Sequence, residues 1–94
     1  MRITGVIWLR NVVEKLEQKH DVSTAEVEDV LSLRPGFRRI EAGNVHGEDL
    51  YAALGHTGGG RYLIVFFVRK PGDRALIVSA RDMTSNERRA YGRR

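Results

Sequence analysis

An unbroken apolar run over residues 62–68 limits the possible folds more than any other part of this chain. Its seven aromatic and aliphatic residues have the length of a strand, and the lack of polar alternation is typical of a strand covered on both faces. The turn-forming sequence Pro71-Gly72-Asp73 follows, and residues 75–80 then form a second apolar stretch. The pattern predicts an antiparallel hairpin at the centre of a sheet.

Two further strands are predicted before this hairpin, because the apolar period changes to two after residue 36. We expect strands over residues 37–42 and 49–56, with a flexible glycine turn at residues 58–60. Connections this short force successive strands to run antiparallel, which gives a four-stranded meander. Residues 3–9 are predicted to form another strand at the start of the chain.

Three helices are predicted from capping patterns. Asn11, Ser23 and Thr84 are each followed three residues later by glutamate, the spacing of a reciprocal N-terminal cap. The first helix is expected to end near His20, the second before Pro35-Gly36, and the third at about Tyr91. The expected architecture is an α+β domain with an antiparallel sheet of about four to five strands, two N-terminal helices packed on it and a C-terminal helix.

Length and composition indicate one small globular domain spanning residues 1–94. Apolar residues make up 41% of the chain and charged residues 30%. There is no cysteine for a disulfide or a thiolate metal site. No apolar run reaches the roughly 20 residues that span a bilayer, and the start of the chain does not look like a signal peptide. We therefore expect a cytoplasmic protein.

Charge is divided unequally along the chain. Residues 1–50 carry seven Lys or Arg and nine Asp or Glu, whereas residues 51–94 carry nine and three. A basic half favours an anionic partner, of which nucleic acid is the commonest. A solvated basic surface that aids solubility is an equally good interpretation of charge alone.

Four short motifs, in this order and spacing, resemble the BrnT family of bacterial ribonuclease toxins. They are Lys19-His20 before the second helix, Gly47-Glu48 before a strand, residues 60–65 (GRYLIV), and residues 77–81 (IVSAR) followed by Glu87-Arg88 and Tyr91. The resemblance implies a RelE-like fold and an endoribonuclease from a type II toxin–antitoxin pair, needing no cofactor. It also implies a cognate antitoxin with a ribbon-helix-helix DNA-binding part, in a possible dimer or heterotetramer.

Metal-independent RNA cleavage needs a base, a cation for the phosphate and an acid for the leaving oxygen. Arg61 begins one strand and Arg81 ends its antiparallel neighbour, so both should lie at the same end of the sheet and form a phosphate clamp. Lys19 and His20 are predicted to face the same edge. The resemblance adds Glu48 as a catalytic candidate, although antiparallel pairing places it at the opposite end from Arg61.

RNA binding is assigned to Arg88, Arg89 and Tyr91 of the last helix, because adjacent arginines cannot both face the core and at least one projects outward. Each candidate also has a structural interpretation: Arg81 could pair with Asp82 or Glu87, and Tyr91 could pack the helix onto the sheet.

The histidines have interpretations of their own. His20 could cap the first helix, and His46 is expected to be solvated. His56 could act as an acid near the glycine turn, but the sequence shows no partner for it. The spacing of the three histidines does not fit a metal site.

The leading hypothesis is therefore a metal-independent endoribonuclease toxin that cleaves RNA by 2′-hydroxyl attack on phosphate and arrests growth. The alternative is a non-catalytic module that keeps the fold and the antitoxin-binding surface, or a general RNA-binding domain.

Overall fold

A computed structural model describes residues 1–43 and 48–92 as one sheet with helices on both faces. The predicted turn around Gly43-Asn44, His46 and Gly47 falls largely outside the described residues, as do Arg93 and Arg94. In chain order the elements are β1 (Gly5–Ile7), α1 (Arg10–Lys15) with a π-helical extension (Leu16–His20), α2 (Thr24–Ser32), β2 (Gly36–Glu41), β3 (Leu50–His56), β4 (Tyr62–Lys70), β5 (Arg74–Asp82) and α3 (Ser85–Gly92).

The sheet has the order β1-β5-β4-β3-β2, and the predicted meander from β2 to β5 is confirmed. The first strand is shorter than predicted, and it adds to the edge of the meander in parallel to β5. The predicted α+β class is also confirmed. Successive side chains of a strand point to opposite faces of the sheet. One face packs against α1 and α2, and the opposite face packs against α3.

The main core lies between the sheet and the two N-terminal helices. Phe67 of β4 is fully buried at its centre, edge-on to Phe37 and stacked on Tyr51, with ring centroids 6.0 and 5.8 Å apart. The helices contribute Leu16, Val27 and Val30. A second, smaller cluster on the other face consists of Ala52, Leu54, Ile64 and Met83, with Tyr62, Phe66 and Tyr91 packed against it.

Two of the three predicted helix caps are present. Ser23 and Glu26 form the reciprocal pair at the start of α2, and Thr84 and Glu87 form it at the start of α3. The predicted cap at Asn11 was wrong. The helix α1 begins at Arg10, so its N-cap residue is Leu9, whose side chain makes no capping hydrogen bond. Within residues 1–43 and 48–92, no helix is long and apolar enough to cross a membrane.

Candidate functional site

Several chain segments meet at the end of the sheet where β3 leads into β4. The connecting turn, residues 57–61, is closed by the buried Thr57, whose hydroxyl accepts a hydrogen bond from the Arg61 backbone at 3.0 Å. Gly60 has a φ of 89°, a backbone conformation that favours glycine. At this end of the sheet β3 ends at His56, β4 begins at Tyr62 and β5 ends at Asp82. We call it the turn end.

The Arg61 side chain joins four segments at the turn end. Its Nε and Nη2 atoms donate to the two carboxylate oxygens of Asp82, at 2.8 and 3.1 Å. Nη1 donates to Glu26 Oε2 at 3.1 Å and to the Asp21 carbonyl at 2.6 Å, and Nη2 donates to the His20 carbonyl at 3.1 Å. Every nitrogen of the guanidinium therefore has a protein acceptor on the helical face of the sheet.

This network holds its members in their charged forms. The hydrogen bonds that Arg61 donates to Asp82 raise the pKa of Arg61 above its usual range. The same bonds lower the pKa of Asp82. The pKa of Glu26 is lowered first by the Ser23 backbone N–H of the helix cap and then by Arg61.

The Arg81 side chain makes a second network on the opposite face. It donates to both carboxylate oxygens of Glu87, at 2.8 and 3.0 Å, and lies 5.6 Å from the centre of the Phe66 ring. Glu87 Oε1 also accepts from the Thr84 backbone, so one carboxylate caps α3 and fastens it to β5. These contacts, with Arg81 the largest, lower the pKa of Glu87 to about 2.

The predicted arginine clamp is therefore not formed, although both residues do lie at the turn end. Arg81 pairs across the sheet with Ile64 of the α3-side cluster, whereas Arg61 contacts the helices of the other face. Strand pleating explains the difference, since residues at odd and even positions along a strand point to opposite faces. The ion pair with Glu87 that the sequence left open for Arg81 is the arrangement that the structure shows.

The π-helical extension of α1 ends at the turn end, where the carbonyl of His20, the residue after Lys19, accepts a hydrogen bond from Arg61. Lys19 is exposed, and the charge of His20 helps to lower the pKa of Asp82. Glu48 lies at the other end of the sheet, where it accepts a hydrogen bond from Lys70 at 2.7 Å. That placement agrees with the antiparallel argument and separates Glu48 from the other candidates.

The three candidates on α3 differ in their surroundings. The Arg88 guanidinium lies 4.3 Å above the centre of the Tyr62 ring, a cation–π contact. Tyr91 meets the same ring edge-on at 6.0 Å, as the packing alternative expected. Arg89 is exposed.

His56 also lies beside Tyr62, with ring centroids 6.3 Å apart. Sequence analysis left His56 without a partner. The sequence did carry a signal for Tyr62 as this partner, because His56 and Tyr62 flank the glycine turn and pair across β3 and β4.

Cations at the turn end thus fall into two groups. Arg61 and Arg81 are held by carboxylates, whereas no carboxylate pairs with Lys19, Arg88 or Arg89 among residues 1–43 and 48–92. In the same part of the chain, no group of three or more histidine or acidic side chains could hold a metal ion.

Comparison with known proteins identifies the family. The sequence model described as "Ribonuclease toxin, BrnT, of type II toxin-antitoxin system" matches residues 8–87. The chain belongs to the BrnT family of ribonuclease toxins. The fold is similar to that of the Brucella abortus ribonuclease toxin BrnT, known from a crystal structure at 1.1 Å resolution. The match has a TM-score of 0.61 and 19% sequence identity, and it covers 86% of this chain and 97% of that one.

The comparison with curated proteins found no match. Membership of the BrnT family confirms the predicted toxin and ribonuclease class and implies an antitoxin partner. The family description assigns no catalytic residues to this chain, so the roles of the turn-end residues remain predictions.

Glu87 makes the stability of this BrnT protein sensitive to acid. Its folded pKa of about 2 lies below the value of 4.5 usual for glutamate, so its contribution to stability is complete above pH 4.5 and is lost as the pH falls toward 2. We expect Glu87→Gln, which can still cap α3, to lower the free energy of unfolding at pH 7 by about 2 kcal/mol and to flatten this acid dependence. Urea denaturation from pH 7 to pH 2 measures both, with the exposed Glu41→Gln as control. An unchanged acid slope in Glu87→Gln would contradict the assignment.

Arg61→Ala is expected to destabilise the fold by about 2–3 kcal/mol, because it leaves two carboxylates and two carbonyls without their donor. Arg10→Ala is the matched control, since that side chain is 94% exposed and its pair with Glu14 is worth less than about 0.5 kcal/mol. Urea denaturation at pH 7 compares the two. Equal midpoints for Arg61→Ala and Arg10→Ala would show that the network does not stabilise the turn end.

Proposed function

We propose that this BrnT protein cleaves RNA without a metal ion, by attack of a ribose 2′-hydroxyl on the adjacent phosphate at the turn end. The reaction leaves a 2′,3′-cyclic phosphate and a free 5′-hydroxyl, and loss of RNA arrests growth. The observation that supports the location is the Arg88 guanidinium, which lies over the Tyr62 ring on the α3 face of the turn end and which no carboxylate of the described residues neutralises, with Arg89 exposed on the same helix.

We assign phosphate binding to Arg88 and Arg89 on the α3 face, with Lys19 as a further RNA-backbone contact on the helical face, rather than to the predicted clamp. A phosphate at Arg61 would have to displace Asp82 and Glu26, and its charge would then lie beside those of both carboxylates. In the described part of the chain no carboxylate pairs with Arg88 or Lys19, so a phosphate there displaces none. We therefore assign Arg61 and Arg81 to positioning: Arg61 holds the end of the α1 extension, and Arg81 holds α3.

Stacking of nucleobases is assigned to the neighbouring tyrosine rings. His20 adjoins Asp82 on the helical face, across the sheet from Arg88 and Tyr62, so we give it no proton-transfer role. Tyr91, together with Tyr62, offers aromatic surface beside Arg88, on which an unpaired base can stack. Glu48, at the far end of the sheet, has no part in this proposal.

Cleavage of single-stranded RNA by the purified protein tests the proposal. We expect full activity in EDTA and none on a substrate whose cleavage-site ribose lacks the 2′-hydroxyl. Lys19→Ala and Arg88→Ala should each reduce cleavage at least tenfold. Each should also make the logarithmic salt dependence of RNA binding shallower by roughly 0.7 per lost phosphate contact.

Arg74→Ala is the charge-matched control, because Arg74 begins β5 at the opposite end of the sheet. Equal losses in all three variants would mean that charge acts non-specifically. RNA left intact by the wild-type protein at high concentration would favour the alternative of a non-catalytic module, which the ion pairs of Arg61 and Arg81 also fit.

We further propose that the antitoxin has a ribbon-helix-helix DNA-binding part, as the family resemblance implies, and that the complex forms in the cytoplasm as a dimer or heterotetramer. The basic second half of the chain suits an acidic antitoxin segment. Coexpression with the adjacent reading frame should give a complex that copurifies, no longer cleaves RNA and has the mass of one of these assemblies. Failure to copurify, with cleavage retained, would contradict this pairing.

A further inference from the structure

We propose that His56 is the general base that removes the proton from the 2′-hydroxyl. This inference rests on the ribonuclease function proposed above and names a residue that lies outside the motifs shared with the family. His56 ends β3, directly before the glycine turn, and its ring is half-buried on the α3 face of the sheet.

The hydrogen bond of the imidazole determines which nitrogen acts. His56 Nδ1 lies 3.0 Å from the Thr57 carbonyl oxygen. A carbonyl oxygen can only accept a hydrogen bond, so Nδ1 must carry a proton. In the neutral ring the lone pair is therefore on Nε2, which is the form required of a general base. Thr57 is itself fixed by hydrogen bonds within the turn, so the orientation of the ring is set by the backbone.

The surroundings of His56 supply what a bound phosphodiester needs. The Tyr62 ring lies 6.3 Å from the imidazole, and the Arg88 guanidinium lies 4.3 Å above that same tyrosine ring. Other titratable groups next to these residues, within the described ranges, include Tyr91 on α3 and, on the α2 side of the turn, Asp29, which accepts a hydrogen bond from the turn backbone. A cation and an imidazole thus both lie beside one tyrosine ring, at the positions where a phosphate and a ribose hydroxyl could be held together.

The step balances without a metal ion. The 2′-oxygen forms a bond to phosphorus while its proton passes to His56 Nε2, and Arg88 stabilises the charge on the non-bridging oxygens. The bond between phosphorus and the 5′-oxygen then breaks. The departing oxygen takes a proton from solvent water, and His56 later returns its proton to solvent.

The test combines two variants with a pH–rate profile. His56→Ala removes the ring, and His56→Asn keeps a donor near the position of Nδ1 but has no Nε2. We expect both to reduce RNA cleavage 100-fold or more while changing RNA affinity less than threefold. The wild-type rate should rise with pH to a plateau, because the step needs an unprotonated base, and this rise should be absent from both variants. Added imidazole should restore part of the activity of His56→Ala, which a purely structural role would not allow.

Three outcomes would overturn the assignment. Wild-type cleavage with an unchanged pH profile in a folded His56→Asn protein excludes His56 as the base while leaving the proposed ribonuclease function intact. A variant that loses activity but keeps the pH-dependent rise and gains nothing from imidazole makes His56 structural. RNA left intact by the wild-type protein removes the ribonuclease proposal itself, and with it the base. Circular dichroism on each variant confirms that the compared proteins are folded.

Discussion

The Arg61 guanidinium is the contact on which the turn end depends. It binds a carboxylate at the end of β5, a carboxylate in α2 and two carbonyls at the end of the α1 extension. The extension ends at Asp21 with a left-handed backbone, so the carbonyls of its last turn have no helical partner and need another donor. The five N–H groups of the planar guanidinium can donate to these carbonyls and to both carboxylates at once, which a lysine ammonium could not do. The position of Lys19 relative to the sheet follows from this network.

A similar arrangement of smaller extent holds α3. That helix buries none of its residues, so apolar packing alone does not explain its place on the sheet. Glu87 caps it and binds Arg81, while Arg88 and Tyr91 both contact Tyr62. Electrostatic contacts therefore position the elements on both faces of the turn end. In the proposed function, the RNA backbone binds to cations that pair with no carboxylate of the described residues, whereas Arg61 and Arg81 position the elements.

The sequence predicted the meander, the Ser23 and Thr84 caps and the placement of Glu48 far from Arg61, because these follow from local period, spacing and antiparallel direction. The sequence predicted Arg61 and Arg81 at one end of the sheet, but it did not predict that they lie on opposite faces. That distinction depends on register, which a single residue of slip reverses, and the bulge opposite residues 66 and 67 shows that such slips occur in this sheet. The Asn11 cap failed because α1 begins two residues earlier than the spacing suggested, with Leu9 rather than Asn11 as its N-cap residue. Predicting the surroundings of His56 required knowing which residue pairs with it on the neighbouring strand.

The most direct test of this account is a crystal structure of the protein with a dinucleotide whose cleavage-site ribose lacks the 2′-hydroxyl. The account predicts the phosphate within hydrogen-bond distance of Arg88, the 2′-carbon facing His56 Nε2, and the bidentate contact between Arg61 and Asp82 unchanged. A phosphate bound to Arg61, with Asp82 displaced, would contradict the division between positioning and substrate-binding cations and restore the arginine as a catalytic residue.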